Sequence, residues 1–278
     1  MSSLAATVFL AGDSTVQSYS AEFAPQAGWG EQLIRYFASD YRVRCGGTDL
    51  SDPGGSSGGP LPLSRFPNAV RYEADRIIVD NRAMGARSVR TYTEEGRLTD
   101  VLASLRESDW LLMQFGHNDA NRGKPERYVT PEEFTERLLR DFIRPAGEKG
   151  VHPVLVTPLA LLDFDENGVC TPSFPDYREA MLSLGKSEGV PVIDLGALSA
   201  ALNTRIGAEA CRNLYLWIPE GVFPHWPEGA SDFAHLQTNG AMVYAGLVAK
   251  ELEKLNRFPV RTGWRAAEDP RSYGAVMR

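Results

Sequence analysis

The chain has 278 residues, of which 43% are apolar and 23% charged, and its formal net charge at pH 7 is -7. This composition is typical of a globular domain, and the acidic balance disfavours nucleic acid as a partner because phosphate binding requires a basic surface. The apolar runs are too short to cross a bilayer, so we expect no membrane association.

The three cysteines, Cys45, Cys170 and Cys211, are widely separated and lack metal-ligand spacing. An odd number of distant cysteines suits a reducing compartment, and we expect no bound metal. The apolar stretch of residues 4–11 is short, uncharged at its front and needed as the first strand, so it does not have the pattern of a signal peptide. We therefore expect a cytoplasmic protein, and its oligomeric state stays open.

Short apolar runs alternate with segments of helical spacing along the chain. The predicted strands are residues 7–11, 77–80, 109–115, 151–156 and 190–195, and the predicted helices are residues 28–37, 99–106, 131–149, 177–188 and 237–255. This alternation is typical of parallel strands joined by right-handed crossovers. It predicts the α/β class, as a three-layer α/β/α domain over residues 1–260 with a central parallel sheet of five strands.

Residues 45–67 are rich in glycine, serine and proline, which disfavours both a helix and a central strand. A loop of this length is usually either functional or disordered, and one hypothesis is a lid or rim of the site. Residues 261–278 are predicted to be a tail, and the chain shows no internal repeat or second domain.

The first predicted strand ends at Gly12-Asp13, which places Ser14 at the carboxyl end of a central strand. Ligands of open α/β sheets bind just outside these ends, so the Ser14 hydroxyl is a candidate nucleophile. The alternative is that Asp-Ser-Thr after a strand provides only a turn and a helix cap.

Two later segments supply the partners of an acyl-transfer serine: a base, a carboxylate that orients it, and oxyanion donors. Asp232 and His235 are three residues apart on one turn, so the carboxylate can hold Nδ1–H of the imidazole while Nε2 faces Ser14. The Asn118 amide and the backbone N–H groups of Ser14 and Ala86 can form an oxyanion hole. We predict a catalytic triad of Ser14, Asp232 and His235.

These segments resemble the blocks of the SGNH, or GDSL-like, hydrolase superfamily, and they occur in its order. The matching segments are Gly12-Asp13-Ser14, Gly116-His117-Asn118-Asp119 and Asp232 to His235. The resemblance extends to the rhamnogalacturonan acetylesterase branch through Thr15, Gly28-Trp29-Gly30, Arg87-Ser88, Phe115, Leu236 and Asn239-Gly240-Ala241. It covers about residues 7 to 256 and implies the flavodoxin-like fold of SGNH hydrolases.

The resemblance implies a serine esterase that removes O-acetyl groups from plant cell-wall oligosaccharides of the rhamnogalacturonan or pectin type through an acetyl-serine intermediate. The implied partner is an acetylated oligosaccharide, and this chemistry requires no cofactor. Two alternatives stay open. One is a GDSL-type lipase, lysophospholipase or thioesterase, which would need an apolar groove; the other is a carbohydrate-binding relic with impaired catalysis.

The chain departs from the branch at Ala86, where a glycine usually precedes Arg-Ser. An alanine donates its N–H without strain if its φ is negative, whereas a positive φ would cost about 1 kcal/mol or more and could shift the donor. In that case Gly85 could take the role. The insertion at residues 45–67 is a second departure, and it bears on substrate fit.

Four further residues are candidates for contact with substrate: Asp13, His117, His225 and Trp226. His117 follows a strand and could touch a sugar or bind a loop carbonyl. His225 and Trp226 lie in a proline-flanked segment and could stack on a sugar ring, although an aromatic side chain in such a loop more often covers the core. Asp119 is expected to cap or pin its loop.

Overall fold

The structure, a computed structural model, describes residues 6–45, 48–49 and 64–263. In chain order the strands are β1 (Ala6–Gly12), β2 (Gln26–Ala27), β3 (Arg42–Cys45), β4 (Thr48–Asp49), β5 (Val70–Glu73), β6 (Ile77–Asn81), β7 (Trp110–Gln114), β8 (His152–Val156), β9 (Val192–Ile193), β10 (Tyr215–Ile218) and β11 (Ala230–Gln237). The α-helices are α1 (Trp29–Gln32), α2 (Val89–Glu94), α3 (Arg97–Ser104), α4 (Pro131–Arg137), α5 (Arg144–Glu148), α6 (Pro175–Glu188), α7 (Leu195–Ile206), α8 (Ala208–Cys211) and α9 (Thr238–Leu252). A 3₁₀ segment, Leu33–Tyr36, follows α1, and a π-helical segment, Leu138–Ile143, connects α4 and α5.

The main sheet has the strand order β4-β3-β5-β6-β1-β7-β8-β9. Strands β6, β1, β7, β8 and β9 are parallel, whereas β5, β3 and β4 continue the sheet in antiparallel fashion. The predicted α/β class and the five parallel strands are therefore confirmed, but the sheet is wider than predicted. The added strands β3 and β5 are half exposed and carry several charged residues, so they lack the apolar run of a buried strand.

Both faces of the main sheet are covered, as the alternation of side chains in β1 shows. Val8 and Leu10 pack into one core together with apolar residues of α1, α7 and α9. Phe9 and Ala11 point to the other face and pack into a second core with residues of α2, α3, α4 and α6. A central strand that is buried on both faces needs the continuous apolar sequence that β1 has.

The predicted helices are present with small shifts of their ends, and the predicted helix at 131–149 is helical from Pro131 to Glu148 with the π-helical segment inside it. The fifth predicted strand, 190–195, is shorter than expected. Pro191 lacks an N–H group, and Asp194 already caps α7 by accepting a hydrogen bond from the N–H of Ala197 at 3.3 Å. Helices α2, α7 and α8 were not predicted.

A second, three-stranded antiparallel sheet has the order β10-β11-β2 and was not predicted either. Most of the predicted insertion, residues 46–47 and 50–63, and most of the predicted tail, residues 264–278, lie outside the described residues. No helix in the described part of the chain combines the length and the apolar character needed to cross a membrane.

Candidate active site

Ser14 lies on the turn that directly follows β1. The carbonyl of Asp13 accepts hydrogen bonds from the N–H groups of Val16 and Gln17, at 3.2 and 3.1 Å, and the Asp13 carboxylate accepts one from the N–H of Thr15 at 3.0 Å. Asp13, and not Ser14, therefore stabilises this turn through its carbonyl and carboxylate groups. The hydroxyl and the backbone N–H of Ser14 have no hydrogen-bond partner within the described residues, which leaves both available to a bound molecule.

Buried hydrogen bonds connect this turn to the neighbouring strand β7. The N–H of Trp29 donates to the Thr15 carbonyl at 2.8 Å, and its indole N–H donates to Oε1 of Gln114 at 2.7 Å. The amide of Gln114 in turn donates to the Thr15 hydroxyl. These contacts fix the backbone beside Ser14 relative to the parallel strands, because all three side chains are excluded from solvent.

Strand β2 brings the C-terminal part of the chain to the nucleophile turn. Gly28, just after β2, approaches the turn so closely that a Cβ there would lie 2.2 Å from the carbonyl oxygen of Gln17. Its neighbour Ala27 pairs with Leu236 in β11, and Leu236 follows His235 directly. The short strand therefore contacts the serine segment on one side and the histidine segment on the other.

Asp232 and His235 lie in a bulge of β11 rather than on a helical turn, because residues 232–235 protrude between two positions at which β11 pairs with β10. Oδ1 of Asp232 accepts hydrogen bonds from the N–H groups of Ala234 and His235 at 2.7 and 2.8 Å. Oδ2 lies 2.8 Å from Nδ1 of the His235 ring. Among the described residues, all the hydrogen bonds of the Asp232 carboxylate come from this bulge.

Electrostatics favour an ionised Asp232. Burial alone would raise its pKa, but the hydrogen bond and charge of His235 and the two backbone N–H groups outweigh burial and lower the pKa to about 2. For His235, burial lowers the pKa, whereas the hydrogen bond and charge of Asp232, with the charge of Asp13, outweigh it and raise the pKa. The carboxylate keeps a proton on Nδ1, so Nε2 of the neutral ring is an acceptor.

Ser14 and His235 line one pocket of about 440 Å³. The other described lining residues are Thr15, Ala86, His117, Asn118, Ala120, Asn121, Arg127, Leu161, Phe174 and Ala234. The pocket therefore brings together the predicted nucleophile, the predicted base and all three predicted oxyanion donors. Asp232 is next to the pocket through its contact with the His235 ring.

Ala86 and Asn118 present donors on the side of the pocket formed by the segments after β6 and β7. The N–H of Ala86 has no hydrogen-bond partner within the described residues. The amide Nδ2 of Asn118 donates to the carbonyl of Arg87 at 3.2 Å, which uses one of its two hydrogens. Gly85 cannot replace Ala86 as a donor in this conformation, since its N–H donates to Oε1 of Gln17 at 2.5 Å.

Ala86 has a φ of 64°, in the left-handed region that favours glycine. Ala86 therefore does not have the negative φ that would be free of strain, and its conformation costs about 1 kcal/mol. Its neighbours on both sides are tied down, Gly85 by Gln17 and Arg87 by Glu95, whose carboxylate accepts from Nε of Arg87 at 3.0 and 3.1 Å. The strained residue keeps its position because the residues around it are fixed.

Asp13 and His117, two of the candidates for substrate contact, bind each other. Nδ1 of His117 lies 3.1 Å from Oδ2 of Asp13, and Nε2 lies 3.0 Å from the carbonyl oxygen of Leu159. Burial raises the pKa of Asp13, but the charge and hydrogen bond of His117 and the bonds from Thr15 outweigh it and lower the pKa. Asp13 is fully buried, so we correct its assignment from substrate contact to support of the site. His117 reaches the pocket wall, but both of its ring nitrogens are occupied.

Asp119 pins its loop, as expected from its place after β7. Its carboxylate accepts hydrogen bonds from the N–H groups of Val89 and Gly116, both at 2.9 Å. Burial raises the pKa of Asp119 to about 7, although these two bonds oppose the change. The contact with Val89 fixes the start of α2 and so connects the Ala86 segment to the Asn118 segment.

His225 and Trp226 do not line the pocket. The His225 ring packs on Phe23 with ring centroids 4.4 Å apart, and the indole N–H of Trp226 donates to the Phe23 carbonyl at 3.2 Å. These contacts place the pair against the segment that precedes β2 rather than beside Ser14. This position fits the interpretation that Trp226 covers the core better than the interpretation that it stacks on a sugar ring beside the catalytic residues.

The sequence predicts no role for four residues that shape the site: Gln17, Trp29, Gln114 and Arg127. A sequence signal for Trp29 was present, because the Gly28-Trp29-Gly30 motif is part of the resemblance to the rhamnogalacturonan acetylesterase branch. Gln17 and Gln114 had none, since each acts through a contact with a residue distant in sequence. Arg127 contacts Asn118, only nine residues away, but no motif includes it.

Comparisons with known proteins identify the family of the chain. Residues 8–242 match the family described as GDSL-like lipase/acylhydrolase. Among curated proteins, the chain is 38% identical to the probable rhamnogalacturonan acetylesterase YesY of Bacillus subtilis, with 89% of this chain and 93% of YesY covered. It is 34% identical to the rhamnogalacturonan acetylesterase RhgT of the same organism, with 89% and 90% covered.

A solved structure gives the same answer for the fold. The crystal structure of protein YxiM from Bacillus subtilis superposes with a TM-score of 0.67 and 27% identity over 90% of this chain. The present chain spans only about half, 56%, of that protein. Since the family match covers most of the sequence and two relatives exceed 30% identity, the chain belongs to the GDSL-like lipase/acylhydrolase family.

Proposed function

We propose that the protein is a serine esterase that removes O-acetyl groups from pectin-like oligosaccharides. In this proposal Ser14 is the nucleophile, His235 the general base and Asp232 the carboxylate that orients the base. The observation that carries the proposal is the convergence of Ser14 and the Asp232–His235 pair on one pocket. Membership of the family and the names of the two relatives support ester hydrolysis and an acetylated carbohydrate substrate.

The first half of the reaction forms an acetyl-enzyme. Nε2 of His235 takes the proton of the Ser14 hydroxyl as Oγ attacks the acetyl carbonyl carbon. The N–H groups of Ser14 and Ala86 and the amide of Asn118 donate to the oxyanion of the tetrahedral intermediate. The protonated imidazole then gives its proton to the sugar oxygen, the C–O bond breaks and the deacetylated sugar leaves.

The second half of the reaction frees the serine. His235 removes a proton from a water molecule, the water oxygen attacks the acetyl carbon, and acetate leaves as Ser14 recovers its proton from the imidazolium. The ionised Asp232 stabilises that imidazolium in both halves. A His235 pKa above the ordinary value means that the acid limb of the pH–rate profile lies above that of an isolated imidazole.

The names of the two relatives favour a small acyl group. A long acyl chain would need a continuous apolar groove. We therefore expect the rate to be highest with acetyl esters.

The test is acetate release from a panel of acetylated pectic oligosaccharides, run beside p-nitrophenyl esters of increasing chain length. Ser14→Ala and His235→Ala should each lower kcat by roughly 10⁴-fold or more. Ser20→Ala is a matched control, since Ser20 is an exposed serine whose hydroxyl donates only to Glu22. Full activity in Ser14→Ala refutes the mechanism, and a steep preference for long acyl chains refutes the acetylesterase assignment.

The cellular location in this proposal is the cytoplasm. The three cysteines are free thiols, with Cys170 and Cys211 buried, which suits a reducing compartment. Fractionation of the native host with an antibody against the protein tests this, and recovery from the medium would contradict it.

A further inference from the structure

His117 connects the carboxyl ends of three neighbouring strands of the main sheet. It follows β7, its Nδ1 lies 3.1 Å from Oδ2 of Asp13 after β1, and its Nε2 lies 3.0 Å from the carbonyl oxygen of Leu159 after β8. Only 9% of its side chain is exposed, and it lines the pocket that Ser14 also lines. The number of hydrogens on this ring therefore sets the charge beside the nucleophile.

A chain of hydrogen bonds with a fixed direction ends at the carboxylate of Asp13. The indole N–H of Trp29 can only donate, so Gln114 turns its oxygen to Trp29 and its NH₂ group to the Thr15 hydroxyl. The hydroxyl of Thr15 then gives its own hydrogen to Oδ1 of Asp13 at 2.9 Å, and the N–H of Thr15 donates to the same oxygen at 3.0 Å. Oδ1 therefore accepts two hydrogen bonds and carries no proton.

Both nitrogens of the His117 ring face groups that accept hydrogen bonds. The carbonyl of Leu159 can only accept, so Nε2 carries a hydrogen. Burial raises the pKa of Asp13, but the charge and hydrogen bond of His117 and the bonds from Thr15 outweigh it and lower the pKa, so Oδ2 belongs to an ionised carboxylate. That oxygen also accepts, so Nδ1 carries a second hydrogen. A ring with hydrogens on both nitrogens is an imidazolium.

The other groups around the ring leave its charge to Asp13. The ring of Phe174 packs edge-on against His117, with centroids 5.1 Å apart, and carries no charge. Asp119 lies on the same segment as His117, but its carboxylate accepts from the N–H groups of Val89 and Gly116. Within the part of the chain that the structure describes, Asp13 is the only carboxylate that pairs with the His117 ring.

Asp13 is fully buried and directly precedes Ser14, so an unbalanced charge on it would oppose the oxyanion that forms in the reaction. We propose that His117 is an imidazolium at neutral pH, and that it balances the Asp13 carboxylate so that the pocket can stabilise this oxyanion. The catalytic consequence rests on the proposed function, whereas the protonation of the ring does not. His117 acts through Asp13 and is therefore a positioning residue.

Nitrogen NMR of the histidine rings in the full-length wild type counts the hydrogens on His117 without any substitution. The chain has four histidines, and the ring protons of His117 are identified by their contacts with the Phe174 ring. An ordinary imidazole is about 90% neutral at about pH 7.5. We expect hydrogens on both ring nitrogens of His117 at that pH, and a ring with one hydrogen would overturn the proposal.

The catalytic consequence is tested by removing the cation alone and then the cation and the carboxylate together. His117→Gln keeps an N–H donor without charge, so kcat for p-nitrophenyl acetate at about pH 8 should fall about 100-fold, because the Asp13 charge is left unbalanced. In the double variant Asp13→Asn/His117→Gln neither charge remains, and kcat should return to within about tenfold of the wild type. A merely structural role predicts a double variant at least as slow as His117→Gln, which would overturn the proposal.

The pH–rate profile adds a readout that packing alone would not move. Burial lowers the pKa of His235, but the hydrogen bond and charge of Asp232, with the charge of Asp13, outweigh it and raise the pKa. An unbalanced Asp13 in His117→Gln should therefore move the acid limb to higher pH, and the double variant should bring it back. An acid limb that stays in place in His117→Gln would contradict the proposal.

His152→Gln is the matched control. His152 lies at the start of β8, at the opposite end of the sheet, and packs on the Trp110 ring with centroids 4.6 Å apart, so kcat and the acid limb should match those of the wild type. If p-nitrophenyl acetate is cleaved but no acetylated oligosaccharide is, the proposed function fails and the role of His117 is still decided. A doubly protonated ring with recovery in the double variant supports that role, and a neutral ring or no recovery overturns it.

Discussion

Replacing Asp232 by asparagine tests the proposed triad without changing its shape. Oδ1 of Asp232 accepts two backbone hydrogen bonds, so an asparagine would keep its carbonyl oxygen there and direct its NH₂ group at Nδ1 of His235. An NH₂ group donates, so Nδ1 would have to accept and the ring proton would move to Nε2. The imidazole would then present a donor to Ser14 and could not take its proton.

The expected loss follows from this change of tautomer. We predict that kcat in Asp232→Asn falls by about 10³ to 10⁴-fold, or about 4 to 5.5 kcal/mol of transition-state stabilisation, with a small change in KM. The residual activity should also change its pH dependence. Asp232 raises the pKa of His235, so its removal should lower that pKa and shift the acid limb to lower pH.

The assay is the pH–rate profile of p-nitrophenyl acetate hydrolysis, with thermal unfolding to establish that the variant folds. Asp165→Asn is a matched control, because Oδ1 of Asp165 also accepts two backbone N–H groups, from Asn167 and Val169 at 2.9 and 2.8 Å, yet Asp165 does not line the pocket. Its profile should match that of the wild type. If Asp232→Asn keeps kcat within about tenfold, or its acid limb moves to higher pH, the reasoning about the tautomer is refuted.

Three further substitutions test the rest of the site. Asn118→Ala removes one oxyanion donor, so kcat should fall about 100 to 1,000-fold with little change in KM, and a loss confined to KM would contradict that role. Ala86→Gly keeps the backbone N–H and removes the strain of the positive φ, so kcat should stay within about threefold of the wild type. The melting temperature should rise by about 2 °C, and a lower melting temperature would contradict backbone strain at Ala86. Gly28→Ala should cost about 3 kcal/mol or more in the free energy of unfolding and abolish activity, because its Cβ would strike the Gln17 carbonyl. Gly147→Ala is the control, because Gly147 lies inside α5 and an added Cβ would have nothing within 4 Å. This substitution should stabilise the protein by up to about 1 kcal/mol, and equal effects of the two glycine substitutions on the free energy of unfolding would contradict the steric explanation.

The part of the protein that local sequence determines is the set of parallel strands and the residue types at their ends. The apolar run of residues 8–11 is buried on both faces in β1, and the turn after it begins at Gly12-Asp13. Thr130 caps α4 through a contact with Glu133 that depends only on neighbours three residues apart. Such features could be predicted because backbone propensity and side-chain periodicity act over a few residues.

The resemblance to SGNH hydrolases also came from the sequence, and the family match confirms it. The order of the short motifs identifies the family even though each motif alone is common. The motifs name the chemistry that a site could perform, but they carry no distances. Whether Ser14 and His235 share a pocket depends on contacts between residues far apart in the chain.

Tertiary structure alone decided those contacts. Strand β2 is two residues long, with no periodicity to detect, yet its pairing with β11 and the close approach at Gly28 place His235 in the pocket that Ser14 lines. The positive φ of Ala86 is held in place through its neighbour Gly85, whose N–H donates to Oε1 of Gln17, 68 residues away in the chain. Each of these depends on packing between segments that only the folded chain brings together, so no local pattern of residues could reveal them.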